Sequence, residues 1–227
     1  MRTKQESTGH VTTRARIIET ARQLFNENGV TNVRSRDISA ALAISNGNLT
    51  YHFPTIESLV EAIFDQMLQE SSEQVGSHDR GPQDLIGYMT LIEWFAGFQV
   101  RYGFFYKDLL ELIRNYPRLA SRYRSIVSVR SEQGRELLER LQQTGVLSDT
   151  LNRDRLRRLQ AAISMTMTYW QAHAEVAVDE WSTLSPEGMP AQVLSLLEPY
   201  LTAIGAEQRD AFVQSRDSLT EIESYKS

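Results

Sequence analysis

Residues Ser35 to Phe53 read SRDISAALAISNGNLTYHF, and their spacing decides the fold. Ser35 is placed to cap a first helix, because a serine hydroxyl accepts an amide hydrogen from the first turn. Asp37 falls in that turn, where the helix dipole favours negative charge. Ile38, Ala41 and Leu42 fall at i, i+3 and i+4, so they are expected to share one buried face. Ala43-Ile44-Ser45 has the length of a tight turn, with Ile44 as the apolar pin and Ser45 as the cap of a second helix. That second helix, Asn46 to Phe53, buries Leu49 and Phe53. Its other face presents Asn46, Gly47, Asn48, Thr50, Tyr51 and His52, side chains that are short, polar or flat. The pattern is a helix-turn-helix, whose second helix suits base edges and phosphates in a DNA major groove. The plainer reading is a helical hairpin with a polar surface.

The flanks favour the first reading. Arg14 to about Leu59 resembles the DNA-binding domain of the tetracycline-repressor (TetR) family of bacterial regulators. The residues that carry the resemblance are Ile17-Ile18, Ala21, Leu24-Phe25, Gly29, Arg36-Asp37-Ile38, Ile44-Ser45, Gly47, Leu49, Tyr51-His52-Phe53, Glu57 and Leu59. The sequence departs from the family pattern in three places. Ala43 stands where such proteins usually carry Gly, so the turn is not expected to rely on a freely positive φ. Thr50 stands where Tyr is common. Pro54-Thr55-Ile56 replaces a segment that often carries a Lys. The resemblance implies that Arg34, Ser35, Arg36, Ser45, Asn46, Gly47, Asn48, Thr50, Tyr51 and His52 face double-stranded operator DNA. It further implies a C-terminal helical body that binds a small-molecule effector and pairs two subunits.

Composition is consistent with this. The chain has 227 residues, 41% of them hydrophobic, and no Cys. The lack of Cys excludes disulfides, thiolate metal sites and cysteine nucleophiles, and suits a reducing compartment. No run of about 18 or more apolar residues marks a spanning helix. The opening MRTKQESTGH lacks the apolar core of a signal peptide, so a cytoplasmic protein is expected. The net charge of −5 is unevenly divided: residues 1–55 hold seven Lys/Arg against four Asp/Glu, and the rest of the chain is acidic. A basic end joined to an acidic body fits one nucleic-acid-facing unit. The excess is modest, so DNA affinity is expected to depend on dimerisation.

Taken in order, the chain divides into a disordered tail (1–11), a three-helix helix-turn-helix domain (12–54), a helical effector-binding and dimerisation domain (55–206) and a C-terminal extension or tail (207–227). The expected fold class is all-α. The first helix runs from Thr12 to Asn28 and stops at Gly29. Thr55 caps a helix to about Val75. His78-Asp79 follows in a loop and reads as surface. The span from Gln83 to Tyr102 is apolar nearly all round, as in a helix buried among others. Glu93 within it needs a partner, water or a ligand, or else sits at the rim. One further helix covers Phe104 to Asn115. Pro117 opens a long one with a polar, arginine-rich middle, stopped by Gly145. Asn152 or Ser148 opens the helix 153–178, and Trp181 to Gly188 is a loop. The last core helix runs from Met189 or Pro190 to Ile204, with a kink or break at Pro199. The resemblance implies that 153–178 and 189–204 pair with their copies in a homodimer.

A catalytic constellation is missing. There is no HExxH, GxSxG, P-loop or GxGxxG pattern, and the four His are scattered. Neither an enzyme nor a cofactor or metal site is expected. Trp94, Phe98, Tyr102, Phe105, Tyr123, Met165, Tyr169, Trp170 and His173 are candidates to line an apolar ligand pocket with a few polar handles. Plain core is the competing reading of each. The function expected is that of a regulator, most simply a repressor released from a palindromic operator by a small, largely apolar compound. The alternative is a helical small-molecule-binding or scaffolding protein without DNA binding.

Overall fold

The computed structural model describes residues 12–76, 82–176 and 188–224, with side chains as far as Arg216. The tail expected over 1–11, the His78-Asp79 loop and most of the Trp181 loop lie outside the described residues. The fold is all-α, and among the described residues the only β pairing is an isolated antiparallel bridge between Leu147 and Leu201. The chain forms two compact units that part between Ser72 and Glu73.

In the first unit, short-range capping shapes every element. Helix α1 (Thr13–Asn28) is capped by Thr12, whose hydroxyl accepts from the Ala15 N–H at 3.2 Å, and it buries Ile17, Ile18, Ala21 and Phe25. Gly29, with φ 76° and ψ 153°, ends it in a backbone region open essentially to glycine alone. A 3₁₀ turn over Val30–Asn32 leads to α2 (Ser35–Ala41). The cap of α2 differs from expectation. Arg34, not Ser35, occupies the N-cap position, because the Asp37 carboxylate reaches back and accepts the Arg34 backbone N–H at 2.8 Å. The buried face differs too: Ile38 and Ser39 are buried, whereas Ala41 is exposed. Ser39 is tolerated there because its hydroxyl donates to the Arg36 carbonyl at 3.0 Å.

The turn after α2 corrects a further expectation. Ala43 adopts φ 53°, the only positive φ outside glycine among the described residues. The Ala43 N–H donates to the Ala40 carbonyl at 3.1 Å, and the Ile44 N–H donates to the Ser39 carbonyl at 3.0 Å. These two bonds are a Schellman ending, which needs a left-handed residue at Ala43 whatever its side chain. Helix α3 (Asn46–His52) is capped by the Ser45 hydroxyl, which accepts from the Asn48 N–H at 3.1 Å. Leu49 and, just past the helix, Phe53 are buried as expected. Helix α4 (Ile56–Gly76) opens on a reciprocal cap: the Thr55 hydroxyl accepts the Ser58 N–H at 3.0 Å, and the Ser58 hydroxyl accepts the Thr55 N–H at 3.2 Å.

In the second unit, α5 (Leu85–Arg101) has Leu85, Tyr88, Met89, Ile92, Ala96, Phe98 and Gln99 buried. The single helix expected over 104–115 is two, α6 (Gly103–Lys107) and α7 (Leu109–Asn115). Asp108, at φ −97° and ψ 14°, leaves helical geometry between them, and Phe104, Phe105, Leu109 and Leu112 are all buried. Helix α8 (Pro117–Gln143) starts on its proline and exposes most of its arginine-rich middle. Gly145, at φ 76°, turns the chain towards α9 (Arg153–Val176), whose first turn is capped by Asn152.

Helix α10 (Gly188–Leu197) buries Met189, Val193, Leu194 and Leu197. The expected kink or break at Pro199 is a break. A 3₁₀ turn, Glu198–Tyr200, is followed by extended residues and a new helix, α11 (Ala203–Ser224), so Ile204 belongs to α11 and is exposed. Residues 207–224 therefore continue a helix. Three side chains one turn apart tie α11 to α5: Gln208 Oε1 accepts the Leu85 N–H at 2.8 Å, Phe212 is buried in the core, and Arg216 forms a two-pronged ion pair with Glu93. Arg216 is thus the partner that the Glu93 carboxylate required.

Candidate nucleic-acid interface

The outward face of α3 is built by what lies beneath it. Leu49 and Phe53 anchor one side, which turns Asn46, Gly47, Asn48 and Tyr51 to the exterior. Tyr51 is 84% exposed, which is unusual for an aromatic residue with no packing role. Its ring meets that of His52 edge-on at 5.3 Å, so the two neighbours hold one another in place. Thr50 is half-buried, and its hydroxyl donates to the Asn46 carbonyl at 3.0 Å within its own helix. That bond uses the hydroxyl proton and leaves the oxygen as an acceptor. Ser45 uses its oxygen in the cap. Gly47 has only the Ser45 hydroxyl oxygen within 4 Å of where a side chain would begin, so its backbone is open to close approach.

Arg34 and Arg36 are exposed at the start of α2, and Ser35 between them is half-buried. Arg36 lies 3.7 Å from the Asp37 carboxylate, a loose exposed pair that holds the guanidinium weakly. Arg14 was not among the sequence candidates. It is exposed in the first turn of α1, and its guanidinium lies over the Phe53 ring at 5.0 Å, beside the end of α3. Periodicity places Arg14 on a polar face but gives no sign of this long-range neighbour.

The ligand-pocket candidates of the second unit are brought together only in part. Trp94 stacks on Phe98 at 5.1 Å, Phe98 contacts Tyr102 at 4.9 Å, and Phe105 contacts Tyr123 at 5.6 Å. Phe98, Tyr102, Phe105 and Trp170 are buried core, whereas Met165, Tyr169 and His173 are exposed on α9. Burial, with the nearby Tyr169 phenol, pushes the Tyr123 phenol up to about 12, against a hydrogen bond to Thr168 that lowers it. Tyr169 also borders an open groove of about 270 Å³ with Tyr106, Lys107, Leu110, Arg114 and Ala172, among α6, α7 and α9. Among the described residues there is no group of three or more His, Asp or Glu side chains arranged to hold a metal ion. No described helix is long and apolar enough to cross a membrane.

Comparison with known proteins gives two family matches, one at each end of the chain. Residues 17–63 match the model of "Bacterial regulatory proteins, tetR family", and residues 61–211, more than half the chain, match that of the TetR "Bacterial transcriptional repressor". The regulator UidR of Escherichia coli K12 is 43% identical over 51 residues, 22% of this chain. That match spans 26% of the relative's length. A TetR-family regulator from Marinobacter aquaeolei VT8 superposes with a TM-score of 0.79 at 27% identity, over 91% of this chain and 98% of the other. A regulator from Saccharomonospora viridis, solved in complex with choline, superposes with a TM-score of 0.66 at 18% identity, over 82% of this chain and 95% of the other. Both family descriptions are of regulators of transcription, not of enzymes. With a helix-turn-helix DNA-binding domain at its N-terminal end and a helical body after it, the chain belongs to the TetR family of bacterial transcriptional regulators.

Proposed function

We propose that the protein is a homodimeric repressor whose two α3 helices read successive major grooves of a pseudo-palindromic operator. The observation that carries this reading is the face of α3, where Tyr51 stands almost wholly in solvent beside Asn46, Gly47 and Asn48. Tyr51, His52, Asn46 and Asn48 are assigned to base edges and nearby phosphates. Arg34, Arg36 and Arg14 are assigned to the backbone, where contacts set register rather than sequence. Thr50 has spent its proton within the helix, so its part is limited to its methyl group and an acceptor. Ser35 and Ser45 are assigned to shaping the two helix starts rather than to specificity.

The dimer is assigned to α9 and the start of α11. On α9, Met165, Tyr169 and Val176 are exposed, and on α11 Ile204 and Val213 are exposed. The apolar residues of α10 are spent in the core, so α10 offers a second copy little apolar surface. The second unit is assigned to a small, largely apolar effector. Such a ligand releases the operator only to the extent that it binds the released state more tightly.

The test is selection of bound fragments from the source genome, followed by a salt titration on the recovered site. A near-palindrome is expected, with affinity falling steeply with salt as phosphate contacts release counterions. The variant Tyr51→Ala/His52→Ala is expected to lose on the order of 10–100-fold in operator affinity, with dimer and helix content unchanged. Operator affinity that survives this change overturns the assignment of the reading face. No enrichment of any fragment favours a helical effector-binding or scaffolding protein without DNA binding.

A further inference from the structure

We propose that Gln99 is the hydrogen-bond acceptor for the effector, and that the effector is a neutral aromatic compound carrying one N–H or O–H donor. The proposal rests on reading the second unit as an effector-binding domain, and it names the polar group that selects the ligand.

Gln99 lies in the last turn of α5 and is 3% exposed. Its Nε2 donates to the Met167 carbonyl of α9 at 2.7 Å. That bond fixes which end of the amide is oxygen. The oxygen, Oε1, is the one buried side-chain polar atom without a hydrogen-bond partner among the described residues. Folded proteins leave few such atoms, and each calls for an explanation. The bond from Nε2 ties α5 to α9 and accounts for one end of the amide, but it leaves the oxygen unexplained.

The surroundings define what the oxygen awaits. Phe95, at i−4, and Tyr102, at i+3, flank Gln99 on the same face of α5. Phe98 touches the rings of Phe95 and Tyr102 and stacks on Trp94. Trp94 and Phe95 are only half-buried, so this aromatic run reaches the edge of the core. Ring faces suit a flat apolar body, and an unpartnered acceptor on the same stretch of helix suits one donor. A cationic ligand also needs a counter-charge. Glu93, the acidic residue within α5, already has its carboxylate engaged by Arg216. A neutral donor is therefore favoured over an ammonium.

The experiment uses the full-length protein and matched probes that differ only in the donor: indole with 1-methylindole, and phenol with anisole. Dissociation constants are measured by calorimetry for the wild type and for Gln99→Leu, with Gln99→Met as a second variant of similar volume. The wild type is expected to bind the donor of each pair about tenfold more tightly. Both variants lose the bond to Met167, so a somewhat lower unfolding midpoint is expected, and the folded variants are expected to bind the two members of each pair alike. A donor preference that persists unchanged in both variants overturns the proposal, since the acceptor then lies elsewhere. Binding without any donor preference in the wild type removes the role of Gln99 and leaves the effector-domain reading standing. No binding of any probe to the wild type counts against both.

Discussion

In residues 12–72, the bonds that shape each element come from three to five residues away; in the second unit, many of those that hold the helices together span more than fifty. Thr12, Asp37, Ser45 and the Thr55–Ser58 pair each act within one helical turn. Gln208 reaches the N–H of Leu85, Arg216 reaches Glu93, Gln99 reaches Met167, and the Thr202 hydroxyl donates to the Gly145 carbonyl at 2.6 Å. The difference fits what each unit has to do under the proposed function. A reading head must fix one short helix rigidly on a small core, and local caps achieve that with few residues. On the reading proposed above, the second unit must keep several helices in register around a region that admits a ligand, and that register is set by contacts between distant segments.

The largest expected effect exploits the second unit's phenols. Eight of the nine tyrosines follow residue 72, and Tyr51, the exception, is exposed. Burial raises the phenols of Tyr88 and Tyr106 above their ordinary value and raises Tyr123 to about 12. A folded pKa above the unfolded one means that the folded chain holds the proton longer. Stability from these groups is therefore intact below about pH 10 and is lost as pH rises towards the folded values. Each such group removes about 1.4 kcal/mol per pH unit across that window. Tyrosinate absorbance is expected to rise in two steps, the second coinciding with loss of helicity. If every phenol titrates in one step while helicity persists, the second unit is not held by a buried aromatic core.

The next test addresses the long-range joint itself. The α8–α9 turn and the α10–α11 corner are stitched by Ser148 to Tyr200, by Thr202 to Val146 and by the Thr202 hydroxyl. Gly205 lies at this joint, where a Cβ would stand 2.4 Å from the Val146 carbonyl oxygen. Backbone cannot yield as a flexible side chain can, so Gly205→Ala is expected to cost about 2–3 kcal/mol. Chemical denaturation followed by the tryptophans, all of which lie in the second unit, measures it. A change below about 0.5 kcal/mol would mean that the α11 corner is not rigidly docked.

How far the sequence disclosed each unit follows the same division. The helix-turn-helix, its Ser45 cap and the exposed face of α3 are all legible because each depends on residues within one or two turns. Even there, three readings failed: Ala41 is exposed while Ser39 is buried, and the other two have a clear local cause. Asp37 competes with Ser35 for the start of α2, and a Schellman ending imposes a positive φ on Ala43 although no glycine is present. In the second unit, the helices and the break at Pro199 are legible, but their partners are not. Glu93 reads as needing a partner, water or a ligand, or as lying at the rim; it is half-buried, and no local pattern reveals that Arg216 pairs with it. The same holds for the split at Asp108, which shows no breaker residue, and for α10, whose covering helices, α5 and α9, no periodicity names. Of the nine pocket candidates, periodicity could not separate Phe98 and Tyr102 in the core from Met165 and His173 outside it.

A smaller effect is expected where the first unit depends on a single side chain. Ser45→Ala leaves the Asn48 N–H without its cap and is expected to cost about 1 kcal/mol. Because α3 has only seven residues, the loss should appear as faster amide exchange across Asn46 to His52 and as weaker operator binding, with the second unit unchanged. If exchange in the second unit rises equally, the two units unfold as one and the contrast drawn above does not extend to their stability.

The smallest effect has the opposite sign, and it tests whether the turn is optimised for stability. A left-handed backbone costs an L-residue about 1–2 kcal/mol that glycine avoids, and glycine gives back about 0.5–1 kcal/mol through its freer unfolded chain. Ala43→Gly is therefore expected to stabilise the first unit by about 0.5 kcal/mol. Slower exchange in α2 and α3 is the observable. Operator affinity under this substitution then separates two uses of the strain. If affinity rises or holds with stability, Ala43 is simply a tolerated residue in a turn whose bonds dictate its conformation. If affinity falls while stability rises, the methyl group of Ala43, exposed between the two helices, takes part in setting the angle at which α3 is presented. A loss of stability would refute the account of the turn altogether, because the Schellman bonds that force the positive φ would then not be what the chain works against.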